Sequence, residues 1–171
     1  MNQVSINPSI NLSEHFTLGE VTKSRYAEIY NIPSHVAIEN LKRVCEWLEK
    51  LRERYNRNYV LVQTTPTPPD SGGEIDTEEP IIINSGYRSP ELNKKLGGAP
   101  TSNHLTGCAV DIRVAGIEQA MRYAVILMDY ADETKQDYDE LLIERDKSGG
   151  YWLHFAVRPK DNRRKTMFLQ K

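Results

Sequence analysis

The sequence predicts an α+β fold, a small antiparallel sheet packed against helices, and three observations predict it. A long stretch carries apolar residues at helical spacing, a second such stretch lies between strand-like runs, and the last two of those runs are joined by a glycine-containing turn. Helices come first and strands interleaved with a helix follow. No repeat period is visible, so residues 1–171 are expected to form one domain.

Each element has its own warrant. Asn11 or Ser13 can cap a short helix over residues 14–22. A stronger helix follows Pro33 and Ser34. There Ala37, Leu41, Val44, Cys45, Leu48 and Leu51 recur at spacings of three and four, while Glu39, Lys42, Arg43, Glu46, Glu49 and Lys50 fill the other face. Ser34 is the expected N-cap, because its hydroxyl can accept from an orphan N–H of the first turn. Cys45 lies on the apolar stripe and reads as core. Residues 59–63 alternate like a short strand. The run TTPTPPDSGG then breaks every regular pattern, and Glu74, Asp76, Glu78 and Glu79 continue it, so residues 64–79 read as a flexible Pro/Gly-rich surface insertion. Strand character returns at Ile81, Ile82 and Ile83. Ser89 or Asn93 can cap a short helix to Leu96, closed by Gly97 and Gly98. Residues 109–114 read as a strand. Residues 117–130 read as the second strong helix, with Ile117, Ala120, Met121, Ala124, Leu127 and Met128 on its buried side. Residues 138–144 and 151–157, joined by a turn over 146–150, read as an antiparallel hairpin.

Composition narrows the function. With 39% hydrophobic and 27% charged residues in 171, the chain is globular and long enough to bury a core. The 22 basic and 24 acidic residues leave a formal net charge of -2, which gives no support to a nucleic-acid binder relying on a broad basic field. The locally basic residues 158–171 read as a solvated tail. No apolar run approaches the roughly 20 residues needed to span a bilayer. The opening MNQVSINP lacks the positive and apolar segments of a secretory signal, so a cytoplasmic location as synthesised is expected. Cys45 and Cys108 are too few for a disulfide framework, which fits a reducing compartment.

The chemistry concentrates in Ser102-Asn103-His104-Leu105-Thr106-Gly107-Cys108-Ala109-Val110-Asp111. A histidine and a carboxylate seven residues apart, joined across a glycine bend, can place His104 in a loop and Asp111 on the strand that follows. A catalytic zinc site takes three protein ligands and keeps one position open for water. Of the other histidines, His154 stands in Tyr151-Trp152-Leu153-His154-Phe155, where alternation sets Trp152 and His154 on one face. His15 and His35 read as surface residues. On spacing alone, a His beside an Asp is more often a structural hydrogen-bonded pair.

The same run resembles the S-x-H-x-x-G-x-A-x-D signature of the zinc D-Ala-D-Ala peptidase superfamily, with Ser102, His104, Gly107, Ala109 and Asp111 in place. That superfamily includes VanX-type dipeptidases, phage L-Ala-D-Glu endolysins and the Hedgehog signalling domain. Ile83-Asn84-Ser85-Gly86-Tyr87-Arg88-Ser89 resembles its S-G-Y-R-S segment, and Trp152-Leu153-His154-Phe155 its W-x-H segment. The stretch from Leu12-Ser13-Glu14-His15-Phe16 to Glu39-Asn40-Leu41 resembles the helical lead-in of the carboxypeptidase-like phage and bacterial branch. The resemblance implies a Hedgehog-like fold and one Zn2+ held by His104, Asp111 and His154. It implies a zinc peptidase, carboxypeptidase-like or endolysin-like, acting on peptidoglycan stem peptides. The partner implied is that peptide; the charge balance and the lack of a long apolar run set aside nucleic acid and a membrane span, and a monomeric chain is expected. Arg88 would pair with a substrate carboxylate or stabilise an oxyanion, its plainer alternative being a structural salt bridge. Ser102 would bond the substrate or cap its own loop, and Tyr87 and Trp152 would border the substrate. Cys108 stands at no ligand position of the family and reads as packing.

The sequence departs from that pattern at the general base. VanX-like and endolysin members carry a glutamate three residues before the last histidine; Tyr151 stands there, and a phenol of pKa about 10 is a poor base at neutral pH. The nearest acidic residues are Glu144 and Asp146. Glu144, where the carboxypeptidase-like branch tends to carry a glutamate, is the expected catalytic base, with a structural role for it, or another group as base, as the alternatives. The competing function is a catalytically weak or inactive zinc-containing cell-wall-binding or structural module of the same fold. The lack of a secretory signal suits a phage or prophage product that reaches the wall when released.

Overall fold

The computed structural model describes residues 7–60 and 78–171. Within them the chain forms α1 (Leu18–Thr22), α2 (His35–Tyr55), β1 (Ile83–Ser85), α3 (Pro90–Lys95), β2 (Ala109–Arg113), α4 (Ile117–Thr134), β3 (Glu140–Arg145), β4 (Tyr151–Ala156) and β5 (Lys165–Gln170). The five strands make one sheet in the order β1-β2-β4-β3-β5, antiparallel except for the parallel β3–β5 pair. The α+β expectation holds. Among the described residues no helix is long and apolar enough to cross a membrane.

The two faces of the sheet differ because strand side chains alternate. Val110 and Ile112 of β2, Leu141 and Ile143 of β3, and Leu153 and Phe155 of β4 point into the core, where α2 and α4 cover them. Burying a side chain of that size contributes about 1.5–3 kcal/mol each. Trp47 of α2 ties the layers, with its ring edge-on to Tyr130 of α4 at 4.8 Å and 5.5 Å from Phe155. The other face carries Asp111, Trp152, His154, Glu140, Leu142 and Glu144, in register across β2, β4 and β3.

Helix α2 starts as expected, with Ser34 Oγ accepting from Ala37 N at 3.2 Å. Its apolar stripe from Ala37 to Leu51, Cys45 included, is buried. Helix α3 starts at Ser89, and both cysteines are free and buried.

Several expectations need correction. Helix α1 begins only at Leu18, capped by a Thr17–Glu20 capping box; Asn11 instead bridges to Thr17, and Ser13 donates to Glu49. Tyr59 and Val60 are not a strand: they continue α2 in a wider helical turn over Asn56–Val60, and residues 61–63 lie outside the described residues. The expected insertion also lies outside them except for Glu78 and Glu79, which bond Arg52 and Asn56. Strand β1 starts two residues later than its isoleucine run. On α4 the buried side is Ala120, Tyr123, Ala124, Ile126, Leu127 and Ala131, while Ile117 and Met121 are 37% and 49% exposed. That helix packs on both α2 and the sheet, so its buried sector is wide and turned toward Tyr123.

The basic C-terminal stretch is no solvated tail. Asp139 is fully buried, and a buried carboxylate is tolerated only when paired. Arg163 supplies the pair through Nε and Nη2, at 2.8 and 2.7 Å, and Asn103 Nδ2 adds a third donor at 2.7 Å. This anchor delivers Lys165 to the edge of β3 and starts β5.

Candidate metal centre

The loop that carries His104 is shaped by glycine and by backbone bonds. Ser102 Oγ accepts from His104 N at 3.3 Å, opening a short 3-10 turn over Asn103–Thr106. Gly107 ends it at φ +73°, where a Cβ would stand 2.4 Å from the Ala37 carbonyl oxygen of α2. No residue with a Cβ fits that approach without moving backbone. Asn40 of α2, buried, donates to Thr106 O at 2.9 Å and fixes the loop from the same side. Gly86 lies equally close to α1, its missing Cβ 2.3 Å from Val21 O. Its carbonyl accepts from His104 Nδ1 at 2.6 Å, and Arg88 N donates back to His104 O.

Three side chains then converge. Asp111 stands opposite His154 in the β2–β4 ladder. Asp111 Oδ1 is 3.3 Å from His104 Nε2 and 2.9 Å from His154 Nδ1, and all the candidate donor atoms lie within 4.8 Å of one another. A carbonyl can only accept, so Nδ1 of His104 carries the hydrogen and Nε2 presents a lone pair. His154 Nε2 faces the carboxylate of Glu140 at 3.5 Å, which turns its Nδ1 inward. Two imidazoles and a carboxylate whose donor atoms lie this close together can hold a metal ion between them. Two nitrogens and one oxygen are also the donor set that zinc takes.

The electrostatics agree. Burial holds the His104 imidazole below its ordinary value. Burial alone would raise Asp111, but the two imidazoles hold its carboxyl well below the usual carboxylate range. Burial opposes charge on His154 too, yet its bonds to Asp111 and Glu140 win and raise it. The bond to His154 in turn pulls Glu140 down to about 2. A proton on His154 thus does part of a cation's work.

The cleft around the cluster has a volume of about 450 Å³. Arg88, Ser102, Glu144 and Trp152, all anticipated from the sequence, line it with the three donors. Arg88 contacts Asp111 Oδ2 through Nη2 and donates from Nε to Ser85 Oγ at 2.8 Å. Glu144 is 3% exposed, with Lys171 Nζ 2.5 Å from Oε2; that contact is an ion pair without hydrogen-bond alignment. Tyr87 is not brought to the cleft: it is 8% exposed and packs in the core. Tyr151 points to the core side of β4, and Asp146 is spent on the hairpin turn, accepting from Ser148 and Gly150. Cys108 is buried outside the cluster, and His15 and His35 are exposed. Sequence reasoning missed Glu140, Asn40 and Lys171. Glu140 was findable, because Glu140 and Glu144 sit at even spacing on the strand that pairs with Trp152 and His154.

A helix-backed sheet whose open face holds a His–Asp–His cluster beside an arginine and a buried glutamate is built like a metallopeptidase. Residues 74–136 match the family model for Peptidase M15, which spans Arg88, Ser102, His104 and Asp111 and stops before His154. This match supports the resemblance to the zinc D-Ala-D-Ala carboxypeptidase and VanX-type superfamily. No curated protein matches the chain.

Proposed function

We propose that the protein is a zinc peptidase that hydrolyses peptidoglycan stem peptides, with His104, Asp111 and His154 as the zinc ligands. The observation that carries the reading is the convergence of those donors in a cleft that also holds Arg88 and Glu144. A zinc ion bound there would polarise the scissile carbonyl and acidify a water molecule.

The chain's own groups supply the rest. Glu144 takes a proton from the attacking water and returns it to the leaving amine, as a buried carboxylate on the cleft wall can. Lys171 keeps that carboxylate in place. Arg88 offers the remaining donors of its planar fork to a substrate carboxylate or to the developing oxyanion. Trp152 and Leu142 give the cleft an apolar wall for small side chains such as alanine.

Mass spectrometry of purified muropeptides, incubated with zinc-loaded protein and with a His154→Ala control, tests the function. Chelator-sensitive release of D-Ala or of a stem fragment is expected. If zinc binds at about one equivalent, as such a site demands, and no muropeptide is cut, the binding-module reading replaces this one. Glu144→Gln should lower kcat by roughly 10²–10⁴-fold with zinc binding kept; unchanged turnover removes Glu144 from the mechanism.

A further inference from the structure

We infer that a second groove beside the metal cleft binds an acidic stretch of peptide, so that the substrate carries a free carboxylate on that side of the scissile bond. The proposal takes its substrate from the peptidase reading, but the charge preference of the groove is measurable without catalysis.

The groove has a volume of about 490 Å³ and is lined by Lys23, Arg25, Tyr26, Asn84, Arg88 and Leu92, among others. It shares Arg88 and Leu96 with the metal cleft, so the two depressions meet at the arginine. Its charge is one-sided: three cations line it and no aspartate or glutamate does. Lys42, Lys50, Arg52, Arg54 and Arg122 on the helices are all paired with carboxylates. Lys23 and Arg25 form no ion pair among the described residues, as Arg43 and Lys94 also form none, whereas Arg88 is paired with Asp111. The nearby acids line other depressions, Glu20 with Lys23 and both Glu28 and Glu91 with Lys95.

The cations are also held in place. Arg25 Nη2 donates to Tyr26 Oη at 3.0 Å, and its Cζ lies 5.1 Å from the Tyr26 ring centroid. Lys95 Nζ lies 5.4 Å from the same ring. Lys23 and Arg25 line the groove together with Arg88, so an anion bound there meets like charges that have no acidic partner in the groove. The floor, Leu92 and Leu96, is aliphatic. Aliphatic floor and cationic wall together fit a peptide of alanine-like and acidic residues, with Arg88 at the join between groove and scissile bond.

The test is equilibrium binding of two stem tripeptides, one with a free D-glutamate carboxylate and one with that carboxylate amidated. The wild-type protein should bind the acidic form about tenfold more tightly at low salt, a preference that fades as salt rises. Lys23→Glu/Arg25→Glu should abolish or invert the preference, and Lys23→Gln/Arg25→Gln should abolish it, with melting temperatures unchanged because both side chains are exposed. Equal binding of both peptides by the wild type, or a preference that survives either double variant, overturns the proposal. Hydrolysis run in parallel separates the two readings. Preference without cleavage keeps the groove and removes the peptidase; cleavage without preference does the reverse.

Discussion

Replacing Glu140 with leucine should weaken zinc binding while leaving the fold intact. The Glu140 carboxylate is 15% exposed and is held by Arg163 Nη2 at 3.1 Å, Lys165 Nζ at 3.4 Å and Asn103 Nδ2 at 3.1 Å. Thus fixed, it faces His154 Nε2 at 3.5 Å and keeps Nδ1 turned toward Asp111. Leucine fills similar space but accepts nothing, so the imidazole loses both its orienting partner and some basicity. Loss of such a partner typically weakens metal binding by about 10–100-fold, or roughly 1.4–2.7 kcal/mol at 1.36 kcal/mol per decade. The 3.5 Å separation puts the expected loss at the lower end. Competition against a chromophoric chelator measures it, and melts of the zinc-free proteins control for folding. Glu140→Gln, which keeps an acceptor oxygen, should lose distinctly less. Wild-type zinc affinity in Glu140→Leu would refute the role assigned to this carboxylate.

Three further outcomes follow from the same geometry. Gly107→Ala should destabilise by more than the roughly 1–2 kcal/mol of a left-handed alanine, because its Cβ would also stand 2.4 Å from Ala37 O. Chemical denaturation reads that loss, and a variant as stable as wild type shows that the loop is not wedged against α2. Trp47→Ala, at a position 2% exposed between α4 and the sheet, should cost about 3–5 kcal/mol by denaturant unfolding. A loss under about 1 kcal/mol would remove Trp47 from the centre of the core. In the zinc-free protein His154 is raised from 6.5 to about 9, against its burial, by its bonds to Asp111 and Glu140. Its charged form therefore stabilises the fold fully below about 6.5, and the contribution is lost as pH rises through about 9. Thermal melts across that range should decline for the zinc-free protein and not for the zinc-loaded one, whose metal replaces the proton. A flat zinc-free profile contradicts the assignment.

What could be read in advance depended on range. Helix α2 was legible because its stripe from Ala37 to Leu51 is a local, periodic signal with a capping serine ahead of it. Helix α4 was legible as a helix but not in its buried face, since it packs against both α2 and the sheet and the periodicity of one segment does not reveal a buried sector that wide. Strand β5 was hidden for a stronger reason. Met167 and Phe168 are 43% and 64% exposed, so no clean inside–outside alternation marks it, and the anchor that places it is Asp139, over twenty residues upstream. In the site, His104 and Asp111 announced themselves through one loop and one strand. Tyr87 stands beside an informative arginine but turns inward, and Glu140, though on the same strand face as Glu144, lies in no motif that singles it out.

The pairing of Asp111 with His154 across β2 and β4 makes the site a gauge of strand alignment. Side chains flip at every step along a strand, so sliding β4 by one position would bury the imidazole under the helices and swing Leu153 or Phe155 outward in its place. Only the correctly set ladder presents both donors to the same side, and an ion that binds no other arrangement lowers the free energy of that one alone. Zinc would thus penalise mis-set sheets during folding, before any peptide arrives.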